Sequence, residues 1–128
     1  MTEKINYEST EEFKKDLKRL KRFSTLLGDL ETVKKNAIEL FHVRKINNQS
    51  CFPIPGFCYE TVWIVKIKKF ASRSLKGRGV KSGLRLIYAF FSKILKVVFI
   101  EIYYKGDKAA EDRGRIENFL KIYLKNCL

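Results

Sequence analysis

The spacing of apolar residues changes twice along the chain. Ile5 and Tyr7 alternate with polar neighbours and predict a short first strand. Phe13, Leu17 and Leu20 then recur at helical spacing, one apolar stripe on a heavily charged helix. Ser9-Thr10-Glu11-Glu12 ahead of it reads as a capping box, with Ser9 as cap and Glu12 reaching back. Gly28-Asp29 breaks this helix and caps a second, striped by Leu30, Val33, Ala37, Leu40 and Phe41. Two amphipathic helices in succession predict a helical hairpin with a face to bury.

Lys45 to Tyr59 carries Asn47, Asn48, Pro53, Pro55 and Gly56, and predicts a loop. Beyond Tyr59 the period falls to two. Trp63, Val65 and Ile67 share one face of a strand, and Val62, Ile64, Lys66 and Lys68 share the other. Leu84–Phe91 and Leu95–Tyr104 are apolar at nearly every position, as in strands covered on both sides. Asp107 then caps a last helix striped by Ile116, Phe119, Leu120, Tyr123 and Leu124, with Gly114 a weak point inside it. The order predicts an α+β domain spanning residues 1–128. It is a small antiparallel β-sheet packed by an N-terminal helical hairpin, with a C-terminal helix.

Composition sharpens this picture. The chain has 128 residues, enough to bury a core without a metal or disulfide staple. Three cysteines (Cys51, Cys58 and Cys127) have no framework spacing, and Met1-Thr2-Glu3-Lys4 starts no apolar leader. A reduced, cytoplasmic protein is expected. The apolar run from Leu84 to Tyr104 is interrupted by Arg85, Lys93, Lys96 and Glu101, which disfavours a membrane span and favours a hairpin.

Charge changes the picture most. Net charge is +13, yet from Thr61 to Ile100 there are ten Lys or Arg residues and no Asp or Glu. Such segregation points to a polyanionic partner. Lys66 and Lys68 project to one side by parity, and Arg85 follows on the next strand if the chain turns back. Cations so placed repel one another, are costly without an anion, and hold a lysine pKa down, which would make a base near neutrality. The alternative is a solvated basic face. Other motifs yield less. Gly77, Gly79 and Gly83 with Lys81-Ser82 miss the phosphate-loop pattern because Val80 precedes Lys81. They leave an anion cradle or a connection needing positive φ. His42 has no nucleophilic partner in view and reads as a surface or packing residue. Cys51 and Cys58 lack a second ligand pair, so neither metal nor other cofactor is expected. Glu101, inside an apolar strand, is either a buried partner for an arginine or an edge residue.

Lys66-Ile67-Lys68 and Ser82-Gly83-Leu84-Arg85-Leu86-Ile87-Tyr88, with the ending Tyr103-Tyr104-Lys105-Gly106-Asp107-Lys108, resemble the RelE/ParE superfamily of toxin–antitoxin systems, in its RelE- or HigB-like branch. The resemblance implies a small antiparallel sheet flanked by two N-terminal helices. It implies a toxin that cleaves messenger RNA on the ribosome without metal. Lys66, Lys68, Arg85 and Lys105 would then be catalytic, with Arg85 on the phosphate. Lys69, Arg73, Lys76, Arg78, Lys81, Tyr103 and Tyr104 would contact RNA. The implied partners are the ribosome, messenger RNA and a smaller acidic antitoxin seated beside Phe13 and Leu17, through which alone operator DNA would be bound. Two alternatives share the fold: a ParE-like gyrase inhibitor and a non-catalytic RNA-binding member.

Overall fold

One five-stranded sheet organises the protein, whose computed structural model describes residues 4–46, 49–68, 70–71 and 82–127. The strands are β1 (Asn6–Ser9), β2 (Cys51–Cys58), β3 (Val62–Ile67), β4 (Leu84–Phe91) and β5 (Lys96–Tyr104), in the order β1-β5-β4-β3-β2. The helices are α1 (Glu11–Arg19), α2 (Leu26–Val33), α3 (Leu40–His42) and α4 (Arg113–Cys127), with a π-helical turn, Lys34–Glu39, joining α2 to α3. The α+β class is as expected, but the sheet is mixed. β1 runs parallel to β5, while all other neighbours are antiparallel. Alternation reveals a strand's faces and not its direction, so this edge could not be oriented from pattern.

The central strands are sealed on both sides. Every β4 residue except Arg85 is buried, and β5 is buried from Val97 to Tyr103. Val65, Ile67, Leu84, Leu86, Tyr88 and Phe99 face the N-terminal helices and meet Phe13, Leu26, Leu30 and Ile38. Ile64, Ile87, Ala89, Val98 and Ile100 face α4 and meet Ile116, Phe119 and Leu120. The parity predicted for β3 holds, and the Leu84–Tyr104 run is the expected hairpin. Among the described residues no helix is long and apolar enough to cross a membrane.

Several local expectations are corrected. Thr10, not Ser9, caps α1: its Oγ1 accepts from Phe13 N at 3.1 Å, because Ser9 is held in β1 opposite Phe99. Glu12 turns away to Arg115 Nε at 3.3 Å. The break between the first two helices falls at Leu20–Thr25 rather than at Gly28-Asp29, since Leu20, Phe23 and Leu26 must all reach the core. Asp29 lies in the first turn of α2, where its charge suits the helix N-terminus, and accepts from Thr25 Oγ1 at 2.7 Å. Phe13 is wholly buried, so it belongs to the core and not to an open groove. Asp112, not Asp107, caps α4, its Oδ1 accepting from Arg115 N at 3.0 Å. Asp107 pairs instead with Arg22. The Leu124 and Cys127 side chains lie outside the described ones.

The π turn explains a further shift. Its extra residue moves the core face from Val33 to Ile38 and then His42, leaving Leu40 and Phe41 half-buried. His42 stacks on Phe90 at 3.8 Å, and its Nε2 lies 2.7 Å from Tyr88 Oη. Tyr88 donates to Cys51 Sγ at 3.7 Å, and Cys51 donates to Ala37 O at 3.7 Å. Burial, with a lesser contribution from Lys45, pushes the His42 pKa from 6.5 down to about 4.

The predicted loop contains a strand. β2 is an edge strand, which tolerates Pro53 and Pro55 because one row of N–H groups faces solvent. Its register against β3 shifts between Pro53 and Cys58, and Gly56 takes φ +88°. Cys51, Ile54 and Phe57 are therefore buried at intervals of three, not two.

β1 ends at Ser9, and beyond it, among the described residues, β5 has no neighbouring strand on that side. Asp16 and Arg115 satisfy its backbone. Ile102 N donates to Asp16 Oδ2 at 3.2 Å, and Arg115 Nη1 donates to Ile100 O at 2.9 Å. Arg115 also grips Asp16 through Nη1 at 2.7 Å and Nη2 at 3.2 Å. Removing one partner of such a pair strands the other charge. Asp16→Ala is expected to lower stability by about 3–5 kcal/mol, read from the urea midpoint.

His42 sets a pH dependence. Its folded pKa is depressed, so the unfolded chain binds the proton first. Stability is complete above pH 6.5 and falls as pH drops toward 4, by about 3 kcal/mol. Urea titrations across that range should show the loss, and His42→Gln should flatten it.

Candidate functional site

Strand register decides which cations can act together. Phe52, Lys66 and Ile87 lie opposite one another across β2, β3 and β4, and Ile87 pairs with Glu101 of β5. Arg85 pairs with Tyr103 and shares this face, two residues back along β4 from Ile87. The end of the sheet near the start of α4 thus gathers Phe52, Lys66, Arg85, Glu101 and Tyr103. Lys68 lies just past β3, with its N donating to Ser50 O at 3.2 Å, and its exposed side chain places Nζ 4.6 Å from the Phe52 ring centroid.

The loop between β5 and α4 crosses this face and brings acid to it. Lys66 Nζ donates to Glu111 Oε1 at 2.8 Å. Glu101 is buried in an interior strand, pairs with Lys108 and accepts from Asp112 N at 2.9 Å. Its partner is therefore a lysine, and the edge-residue alternative falls. Tyr103 lies between two ammonium groups, Lys66 at 5.8 Å and Lys108 at 5.5 Å from its ring centroid. Among the described residues its buried Oη has no hydrogen-bond partner.

These contacts correct the expected lysine chemistry. Burial pulls the Lys66 pKa down, but the Glu111 hydrogen bond, Tyr103 and the Glu111 charge outweigh it and leave the pKa raised. Glu111 shows the converse: burial lifts its pKa, and the Lys66 bond and charge, with Arg113, bring it below its ordinary value. Lys66 is a held cation and not a neutral base. Mutual repulsion fails here because the nearest charge is a carboxylate 45 residues away in sequence.

Arg85 is different. It is half-buried, donates through Nη1 to Leu84 O at 3.1 Å, and among the described residues pairs with no carboxylate. A guanidinium so placed keeps donors for two oxygens of a phosphate.

The remaining expected residues divide. Lys105 is exposed just past β5, its N donating to Gly83 O at 2.8 Å. Gly83 takes φ +87°, and a Cβ there would meet the Tyr104 ring at 3.1 Å, so this glycine serves the connection. Tyr104 points to the opposite face, packing on Phe23 at 5.2 Å beneath Arg22, because consecutive strand residues alternate. Lys69, Arg73, Lys76, Arg78 and Lys81, like Gly77 and Gly79, lie outside the described residues. Sequence reasoning missed Phe52, assigned to a loop without a face, and Glu111 and Lys108, which only tertiary folding brings to the sheet.

No family model matches the chain, and no curated protein does. Among solved structures it is similar to the archaeal RelE–RelB complex from Pyrococcus horikoshii OT3, at 11% identity and a TM-score of 0.48, over 83% of this chain and 98% of that one. A likeness at this level assigns no activity.

Glu111 is what neutralises Lys66. Glu111→Gln should lower the Lys66 pKa, followed by NMR titration of the lysine side chain, and should tighten retention on heparin.

Proposed function

We propose that this chain is the RelE-like toxin of a toxin–antitoxin pair, a metal-independent endonuclease acting on messenger RNA at the ribosome. The observation that carries the reading is Arg85, a half-buried guanidinium without a carboxylate partner among the described residues, on a sheet face shared with Lys66 and Tyr103. The motif resemblance around Lys66-Ile67-Lys68 and Ser82–Tyr88 supports it, as does the acid-free stretch from Thr61 to Ile100.

Cleavage of this kind uses the substrate's own 2′-hydroxyl as nucleophile on the adjacent phosphorus. The bond to the departing 5′-oxygen breaks as the new one forms, and negative charge builds on the phosphoryl oxygens. Arg85 pairs with two of those oxygens. Lys66 exchanges Glu111 for the phosphate and holds charge. Lys68, which among the described residues no carboxylate holds, is a second cation for the phosphate; the 2′-hydroxyl gives its proton to water, and the departing 5′-oxygen takes one from water. Lys105 and Tyr103 border the path, and the ribosome supplies much of the orientation.

The antitoxin would be an acidic chain. A groove of about 460 Å³ on the helical side has a floor of Leu17, Leu20 and Leu26 and a rim of Lys14, Lys18 and Lys21. Leu27 at its margin is 66% exposed. An amphipathic acidic segment complements both features.

Arg85→Ala should reduce messenger cleavage in a translating extract by about 10²–10³, with an unchanged circular dichroism spectrum. Cleavage at the unaltered rate would remove Arg85 from the site. Inhibition of DNA supercoiling without cleavage would select a gyrase-directed toxin instead.

A further inference from the structure

Phe52 stands apart from the other residues in its row. Ile87 and Glu101 are buried and Lys66 is mostly covered, yet Phe52 is 36% exposed. It lies directly across from Lys66, and an exposed ammonium, that of Lys68, lies over its ring at 4.6 Å. An open aromatic face bordered by cations is the arrangement that takes a nucleobase on the ring and its phosphates on the charges.

We propose that Phe52 is a stacking platform for one base of single-stranded RNA, with Lys68 moving from the ring to an adjoining phosphate. The proposal deepens the functional reading above and rests on it for the identity of the ligand. The surroundings favour RNA over a protein segment in two ways. Pro53 and Pro55 remove N–H donors from β2, so a partner strand adds poorly to this edge. The charged groups here without a described carboxylate partner, Lys68 and Arg85, are both positive. Every base presents a π face, so Phe52 would position the strand without dictating its sequence.

The test uses the full-length protein and a short single-stranded RNA carrying 2-aminopurine, whose fluorescence falls when it stacks. The unaltered protein is expected to quench it. Phe52→Leu should abolish quenching and weaken binding by about 5- to 100-fold, while the salt dependence of binding is unchanged. Phe52→Trp should restore both, which separates stacking from a folding defect. An abasic nucleotide at the quenched position should weaken the unaltered protein but not Phe52→Leu. Lys68→Ala should reduce the salt slope by about 0.7, the loss of one phosphate contact on a single strand. Quenching and affinity unchanged in Phe52→Leu, or no quenching by the unaltered protein, would overturn the proposal. If Arg85→Ala and Lys68→Ala weaken binding while Phe52→Leu does not, stacking alone fails. If none of the three weakens it, the reading of the whole face as an RNA site fails with it.

Discussion

The sheet can present charge only where its covers stop, and the rest of the structure follows from that constraint. β4 and β5 are closed by the N-terminal helices on one side and α4 on the other. Burying an unpaired charge is prohibitively costly, so a cation on these strands must reach the margin of a cover or find an acid. Arg85, the one charged residue of β4, takes the first course. Lys66, on the neighbouring strand, takes the second through Glu111. The same principle governs Asp16 and Arg115, which join α1 and α4 to the part of β5 that β1 leaves unpaired. The helices that bury the sheet are thereby fixed relative to the end of it where the cations gather.

The site that results is a guarded cationic face and not an open patch of mutually repelling lysines. Glu111 and Glu101 bring two carboxylates against Lys66 and Lys108, with Tyr103 between the two ammonium groups. A polyanion must therefore compete with an internal acid for Lys66, whereas Arg85 and Lys68 meet no such competitor among the described residues. Among the described residues of this face, Arg85 is thus a covered cation with no internal acid to displace. The Glu111 contact explains why Lys66, in the most basic stretch of the chain, has a raised and not a depressed pKa. Pairing with Glu111 costs less than desolvating a bare ammonium, so the ion pair lets a cation lie largely buried on this face.

Much of this was legible in the residues. Strict alternation in Val62–Ile67 gave the faces of β3, and continuous apolar runs identified β4 and β5 as interior strands. Both long stripes, Phe13-Leu17-Leu20 and Ile116-Phe119-Leu120, pointed to covering helices. What escaped has physical causes. A bulged edge strand buries every third residue, so β2 resembled a loop and hid Phe52. A π turn adds one residue to the helical repeat, so His42 replaced Phe41 in the core. The direction of β1 leaves no trace in alternation. At the site, parity put Lys66 and Lys68 on one side and the turn of the chain put Arg85 on the adjacent strand, but Tyr103 and Tyr104, expected to act together, lie on opposite faces. The Glu111 contact was invisible because it depends on where the loop before α4 crosses the sheet.

The central claim is that this face brings a phosphodiester of translated messenger RNA to Arg85. Mapping RNA 5′ ends after induced expression in growing cells tests it most directly. The account predicts new ends within translated reading frames, absent when translation initiation is blocked. Growth arrest with messenger ends unchanged would contradict it.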